Sequence, residues 1–231
     1  MSVRRRILPG TRVQRLHSSH SYGAVLLLVV ATFVFIELAG DAPWTASALL
    51  LFQAATLVVA LWTSGVAKAN ASENFGLLLG AVVIAVGLIL WKGDTLEGIV
   101  GILSAVLTIL TVAVIGVGVF DQGEINGQSV IGAITIYVML GFVFLFLYGV
   151  IGTLGKTPLF AQGTDGTRAI RIYFSYITLA TVGYGDYTPG TPIGRVTAVA
   201  EALTGQLYLV TVIAVLVSRM RPKRRSETET E

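Results

Sequence analysis

The chain has 231 residues, 54% of them hydrophobic and 13% charged, with a formal net charge of +3 and a mean hydropathy of +0.79. A soluble domain carries about twice that charged fraction, so a soluble globular protein is excluded. Cysteine is absent, which removes a disulfide framework, a thiol nucleophile and a Cys-based metal site.

Charges fall in short clusters, and the uncharged runs between them are about 17 to 26 residues long, enough to cross a ~30 Å hydrocarbon core as helices. Residues 1–21 carry Arg4, Arg5, Arg6, Arg12 and Arg15 and no acid. A signal peptide also opens on a basic region, but the apolar run from Tyr22 to Ile36 is long and no small-residue cleavage site leads into a soluble domain. The run reads as a first span ending near Glu37. Its basic flank stays in the cytoplasm by the positive-inside bias and lies against anionic headgroups, worth about 1 kcal/mol per basic residue. His17 and His20 read as interfacial residues.

A Gly40-Asp41-Ala42-Pro43 turn follows, with Trp44 suited to the headgroup layer. A second span is expected over Thr45–Ala67 and a short loop at Lys68, Asn70 and Glu73. A third span covers Phe75–Trp91 and a fourth Thr95–Phe120. Residues 121–129 form a polar, glycine-containing linker. A fifth span covers Val130–Ile151, a loop Gly152–Thr167, and a short helix Arg168–Ala180, with Thr164, Asp165 or Thr167 as its N-cap. After Pro189 and Pro192 a sixth span runs over Ile193–Ser218. Arg219, Arg221, Lys223, Arg224 and Arg225 then place residues 220–231 in the cytoplasm. With both ends inside, four spans precede the fifth, and the parity agrees with a re-entrant loop between the fifth and sixth.

That loop holds Thr181-Val182-Gly183-Tyr184-Gly185-Asp186. Carbonyl oxygens that replace an ion's hydration shell must all point at one axis. This requires left-handed dihedrals at alternate residues, which glycine adopts at no steric cost. Gly183 and Gly185 stand at such alternate positions. Thr181 adds a hydroxyl oxygen, Val182 and Tyr184 turn their side chains away from the axis, and Asp186 caps the mouth.

The stretch TVGYGD resembles the selectivity filter of the tetrameric potassium-channel family, and the likeness extends from about Val130 to Arg219. It implies an all-α membrane protein with six transmembrane helices, a re-entrant pore helix and a four-fold symmetric pore. The implied organisation is a four-helix bundle at 22–120, a linker at 121–129 and a pore domain at 130–219. Thr181, Val182, Gly183 and Tyr184 would coordinate K⁺. One filter copy per chain implies a homotetramer, since a lone strand would leave its carbonyls unsatisfied in the membrane. Tyr173 and Phe174 occupy places where relatives carry an aromatic cuff. Ile177 stands where some bacterial relatives carry a buried acid. Arg168 and Arg171 are expected at the headgroups or the mouth surface.

In the last span Gly194-Arg195 and Gly205 match the inner-helix pattern of bacterial members. Gly205 reads as a hinge or as a close-packing site. Gln206, Leu209, Ile213 and Val217 share one helical face and are expected to line the cavity, with Ile213 and Val217 able to close it by dewetting. Glu201 is an ionisable residue inside a span, a candidate gating acid by default, with Thr178, Thr204 or Gln206 as its expected partner.

The fourth helix of a voltage sensor carries a basic residue at every third position. Thr95–Phe120 carries none; its one charge is Glu97. Several gating charges at about 2.3 kcal/mol per 100 mV each are needed for steep voltage dependence. The first four spans therefore resemble a sensor bundle without its charges, and small residues such as Gly98, Gly101, Gly116 and Gly118 offer close packing instead. The expectation is a passive K⁺ channel of a prokaryotic plasma membrane, not conventionally voltage-gated. A weakly selective cation pore and a potassium-uptake transporter subunit are the alternatives. No enzyme chemistry, no cofactor beyond K⁺ in the filter and no nucleic-acid partner is expected.

Overall fold

A computed structural model of the protein describes residues 21–42, 44–64, 94–120 and 127–219. In chain order they form α1 (Tyr22–Ala39), α2 (Thr45–Ser64), α3 (Asp94–Phe120), α4 (Gly127–Leu154), the short α5 (Arg168–Leu179), α6 (Pro192–Tyr208), a π-helical turn at Leu209–Ile213 and α7 (Ala214–Arg219). The expected third span, Phe75–Trp91, lies outside the described residues. So do the basic residues 1–20 with both histidines, residues 121–126 of the linker and the tail 220–231.

In lipid a backbone must satisfy its own polar groups, and the helix does this within one segment. Among the described residues, five stretches are long and apolar enough to cross a membrane: Tyr22–Ala39, Thr45–Ser64, Val100–Phe120, Gly127–Leu154 and Pro192–Leu216. The chain is thus an all-α, multi-pass membrane protein. The fifth expected span is longer than the sequence indicates, starting at Gly127 and ending at Leu154. Its first turn is held because the Tyr22 amide donates to Gln128 Oε1 at 3.0 Å, satisfying one of the open N–H groups at the start of α1. The sixth span departs from a continuous α-helix by the π turn.

Helix α3 packs between α2 and α4, and α1 packs on α2, α4 and the edge of α5. A single apolar core joins Tyr22, Val25 and Val29 of α1 to Ile115 and Val119 of α3 and to Ala133, Ile136 and Phe142 of α4. Small residues set the spacing, though not all the expected ones. A Cβ on Gly118 would stand 2.5 Å from Ser64 Cβ and 2.5 Å from Tyr22 Oη, whereas one on Gly116 would meet nothing within 4 Å among the described residues. Gly118→Ala is therefore expected to lower the thermal unfolding temperature in detergent, the overpacking costing about 1–3 kcal/mol. Gly116→Ala leaves that temperature unchanged or slightly raised.

Beside this core lies a small group of uncharged polar side chains. Thr32, Gln53, Thr56, Thr108 and Thr111 face a cavity of about 20 Å³ closed by Met139 and Phe142 of α4, room for a water. Each threonine hydroxyl donates to the carbonyl four residues back in its own helix. Neither polar atom of the buried Gln53 amide finds a partner among the described residues.

Candidate ion-conduction site

The short helix α5 positions the site. Of the three expected caps it is the Thr167 side chain that accepts from the Ile170 amide, at 3.2 Å. Thr164 Oγ1 accepts from Gly166 N and Asp165 Oδ1 from Leu159 N, so both shape the preceding turn instead. Helix α5 buries Ile172, Phe174, Ser175, Ile177 and Leu179. Arg168 has partners within the chain. Its guanidinium donates to Thr45 Oγ1 at 2.6 Å and lies 3.6 Å from the Asp41 carboxylate. The turn between α1 and α2 reaches the start of α5, and the forked guanidinium serves both acceptors. Arg171 runs alongside Gly149 of α4.

At the other end, α5 hands its last carbonyls to the Thr181–Asp186 stretch. Ile177 O accepts from Val182 N at 2.8 Å and from Gly183 N at 3.1 Å, and Thr178 O accepts from Thr181 N at 2.9 Å. The partly negative end of the helix is thereby locked to the base of the TVGYGD stretch. Within that stretch φ is +56° at Thr181, +54° at Gly183 and +82° at Gly185. Left-handed residues thus alternate with Val182 and Tyr184, as a path of aligned carbonyls demands. Glycine spacing made two of these positions legible. Thr181 was legible only as a hydroxyl donor of oxygen, yet it takes the same left-handed backbone, a costly conformation for a β-branched residue. Val182 and Tyr184 remain 52% and 72% exposed on this single chain.

Two side chains fix the outer end. Tyr173 Oη donates to Asp186 Oδ2 at 2.8 Å, and Gln162 Nε2 donates to Asp186 O at 2.8 Å. Gln162 also accepts from Thr188 N. Its role had no sequence signal, since it comes from a loop 24 residues away. Phe160 and Pro189 form an isolated antiparallel bridge, with Ala161 N donating to Thr188 O and Gly190 N to Leu159 O. A chain of rings runs from Tyr148 through Phe174 and Phe160 to Tyr187, with centroids 5.1, 5.1 and 5.3 Å apart.

On α6, Gln206 Nε2 donates to Thr181 Oγ1 at 3.1 Å, which places the expected cavity-lining residue at the start of the TVGYGD stretch. Gly205 is buried against α5: a Cβ there would stand 2.2 Å from Leu179 O. Leu209 is exposed and begins the π turn. The side chains of Ile213 and Val217 lie outside the described ones. The expected partners of Glu201 are wrong. None of Thr178, Thr204 or Gln206 binds it; the carboxyl accepts or shares protons with Tyr148 Oη of α4 and Ser175 Oγ of α5. Spacing along α6 points to neighbours on its own face or near the filter base, while the real partners come from two other helices that a sequence does not align. An apolar stripe of α6, Ile193, Val196, Leu203, Leu207 and Val210, is largely exposed among the described residues.

Residues 132–221 match the family model described as an ion channel. A voltage-gated potassium channel of Aeropyrum pernix is 42% identical over 52 residues, 22% of this chain and 17% of that protein. The two pore potassium channel c of Oryza sativa subsp. japonica is 30% identical over 86 residues, 35% of this chain and 19% of that protein. The chain thus covers less than a fifth of the length of either relative.

Proposed function

From an ion-channel domain at residues 132–221, we propose that this chain is one subunit of a potassium-selective channel that conducts K⁺ passively as a homotetramer. The observation that carries the proposal is the left-handed backbone at Thr181, Gly183 and Gly185, held at the carbonyl end of a short helix. Carbonyls of Thr181, Val182, Gly183 and Tyr184 replace the hydration shell of K⁺, and the Thr181 hydroxyl, held by Gln206, bounds the lowest position. The exposure of Val182, Tyr184 and the α6 stripe on one chain supports assembly, because each needs a neighbour or lipid to cover it.

The channel is multi-pass, sits in the plasma membrane and has both termini in the cytoplasm, with anionic lipid against the basic ends. It is not conventionally voltage-gated, because α3 carries no basic residue. The name of the Aeropyrum relative does not oppose this, since a 52-residue match is too short to include a four-span bundle.

The test is planar-bilayer recording of purified protein with K⁺ on one side and Na⁺ on the other, stepped over a wide voltage range. The expected result is reversal near the K⁺ value with open probability nearly independent of voltage. Reversal near zero would replace the proposal with a weakly selective cation pore. Steep voltage dependence would keep the filter and overturn the reading of the first four spans.

A further inference from the structure

Three short oxygen–oxygen contacts meet behind the filter. Tyr148 Oη lies 2.6 Å from Glu201 Oε2. Ser175 Oγ lies 2.5 Å from Glu201 Oε1 and 2.8 Å from the carbonyl oxygen of Gly141. Each contact needs a proton between its oxygens. The tyrosine and serine hydroxyls bring one each, and a backbone carbonyl brings none. The third proton has to come from the carboxyl of Glu201.

Burial argues the same way. Glu201, Ser175 and Tyr148 each have 0% exposure, and both described hydrogen-bond partners of the carboxyl are neutral hydroxyls. An ionised carboxylate with two hydroxyl partners is costly in such surroundings. The other titratable group facing this region from α5 is Tyr176, whose hydroxyl is engaged elsewhere, on Val138 O at 2.7 Å.

We propose that Glu201 is a neutral carboxylic acid that positions the pore helix, donating its proton to Ser175 Oγ, which in turn donates to Gly141 O, while its other oxygen accepts from Tyr148. One residue of α6 thereby ties α5 to α4, six positions before the first filter residue. The Tyr148 ring carries the restraint onward through Phe174 and Phe160 to Tyr187 beyond the filter. The role rests on the channel reading above; the protonation does not.

Two measurements separate them. Infrared difference spectra of wild-type against Glu201→Gln protein at neutral pH are expected to show a protonated carboxyl C=O band lost in the variant. A carboxylate band pair lost in its place overturns the proposal. In bilayer recordings Glu201→Gln, whose amide reproduces one donor and one acceptor, keeps the wild-type K⁺ over Na⁺ preference. Glu201→Ala and Ser175→Ala, which leave polar groups unpaired, lower it by about tenfold or more. Tyr148→Phe retains the ring and the Ser175 link, and gives a smaller drop in the same direction even if the alanine variants fail to assemble. Unchanged selectivity in Tyr148→Phe and the alanine variants, or loss in Glu201→Gln equal to theirs, overturns the positioning role. A wild-type protein without K⁺ current overturns the channel and with it the positioning role, while the infrared band still decides the proton.

Discussion

Gly205→Ala is expected to abolish K⁺-selective current. A methyl group at that position would lie 2.2 Å from Leu179 O and 3.1 Å from Leu179 C, and backbone atoms of α5 have no rotamer with which to retreat. Helix α6 must then move away from the end of α5 that anchors Val182 and Gly183 through Ile177 O. Overpacking of this kind costs about 1–3 kcal/mol per site and more where backbone must shift, and a symmetric tetramer repeats it in each subunit. A hinge role makes a different forecast: a stiffened helix opens less often but keeps its selectivity. Single-channel recording of the variant in a K⁺/Na⁺ gradient distinguishes the two. Normal reversal with reduced opening would establish the hinge and refute the packing account.

Gly183→Ala is expected to remove selectivity without a steric clash. A Cβ there would meet nothing within 4 Å among the described residues, and the glycine holds φ at +54°. The penalty is one of backbone conformation, about 1–2 kcal/mol per residue for an L-residue in the left-handed region, and in a tetramer it falls on four strands that must align. The TVGYGD stretch already holds one such residue, Thr181 at φ +56°, so little further strain can be absorbed nearby. The measurement is the reversal potential in the same gradient, with Gly116→Ala as the control: that position is equally open but lacks the unusual φ. A variant that reverses at the wild-type potential would show that the left-handed backbone at 183 is not what selects K⁺.

Much of the architecture follows from hydropathy alone. Long uncharged runs mark the helices because lipid leaves few other options for the backbone, and the described spans begin and end within about three residues of the charge and turn signals that bound them. The glycine alternation at 183 and 185 is legible because only glycine adopts that backbone freely. What escaped is non-local. Arg168 finds Asp41 and Thr45 across more than 120 positions, and an arginine before an apolar helix reads equally well as a lipid anchor. Glu201 stands out as a misplaced acid, but its partners depend on how three helices cross. The π turn has no composition of its own: Leu209-Val210-Thr211-Val212-Ile213 reads as ordinary apolar helix.

That wide turn takes one residue more than an α-helical turn would. The face counted downward from Gln206 in α-helical steps therefore slips by one position below Ile213. Among the described side chains there, Ala214, Val215 and Ser218 are exposed and Leu216 is buried. Drawing out the extra residue would swivel the segment beyond it by about 100° while Gln206 stays on Thr181. Such a change would alter which side chains the segment below the turn presents and would leave the Gln206–Thr181 contact in place.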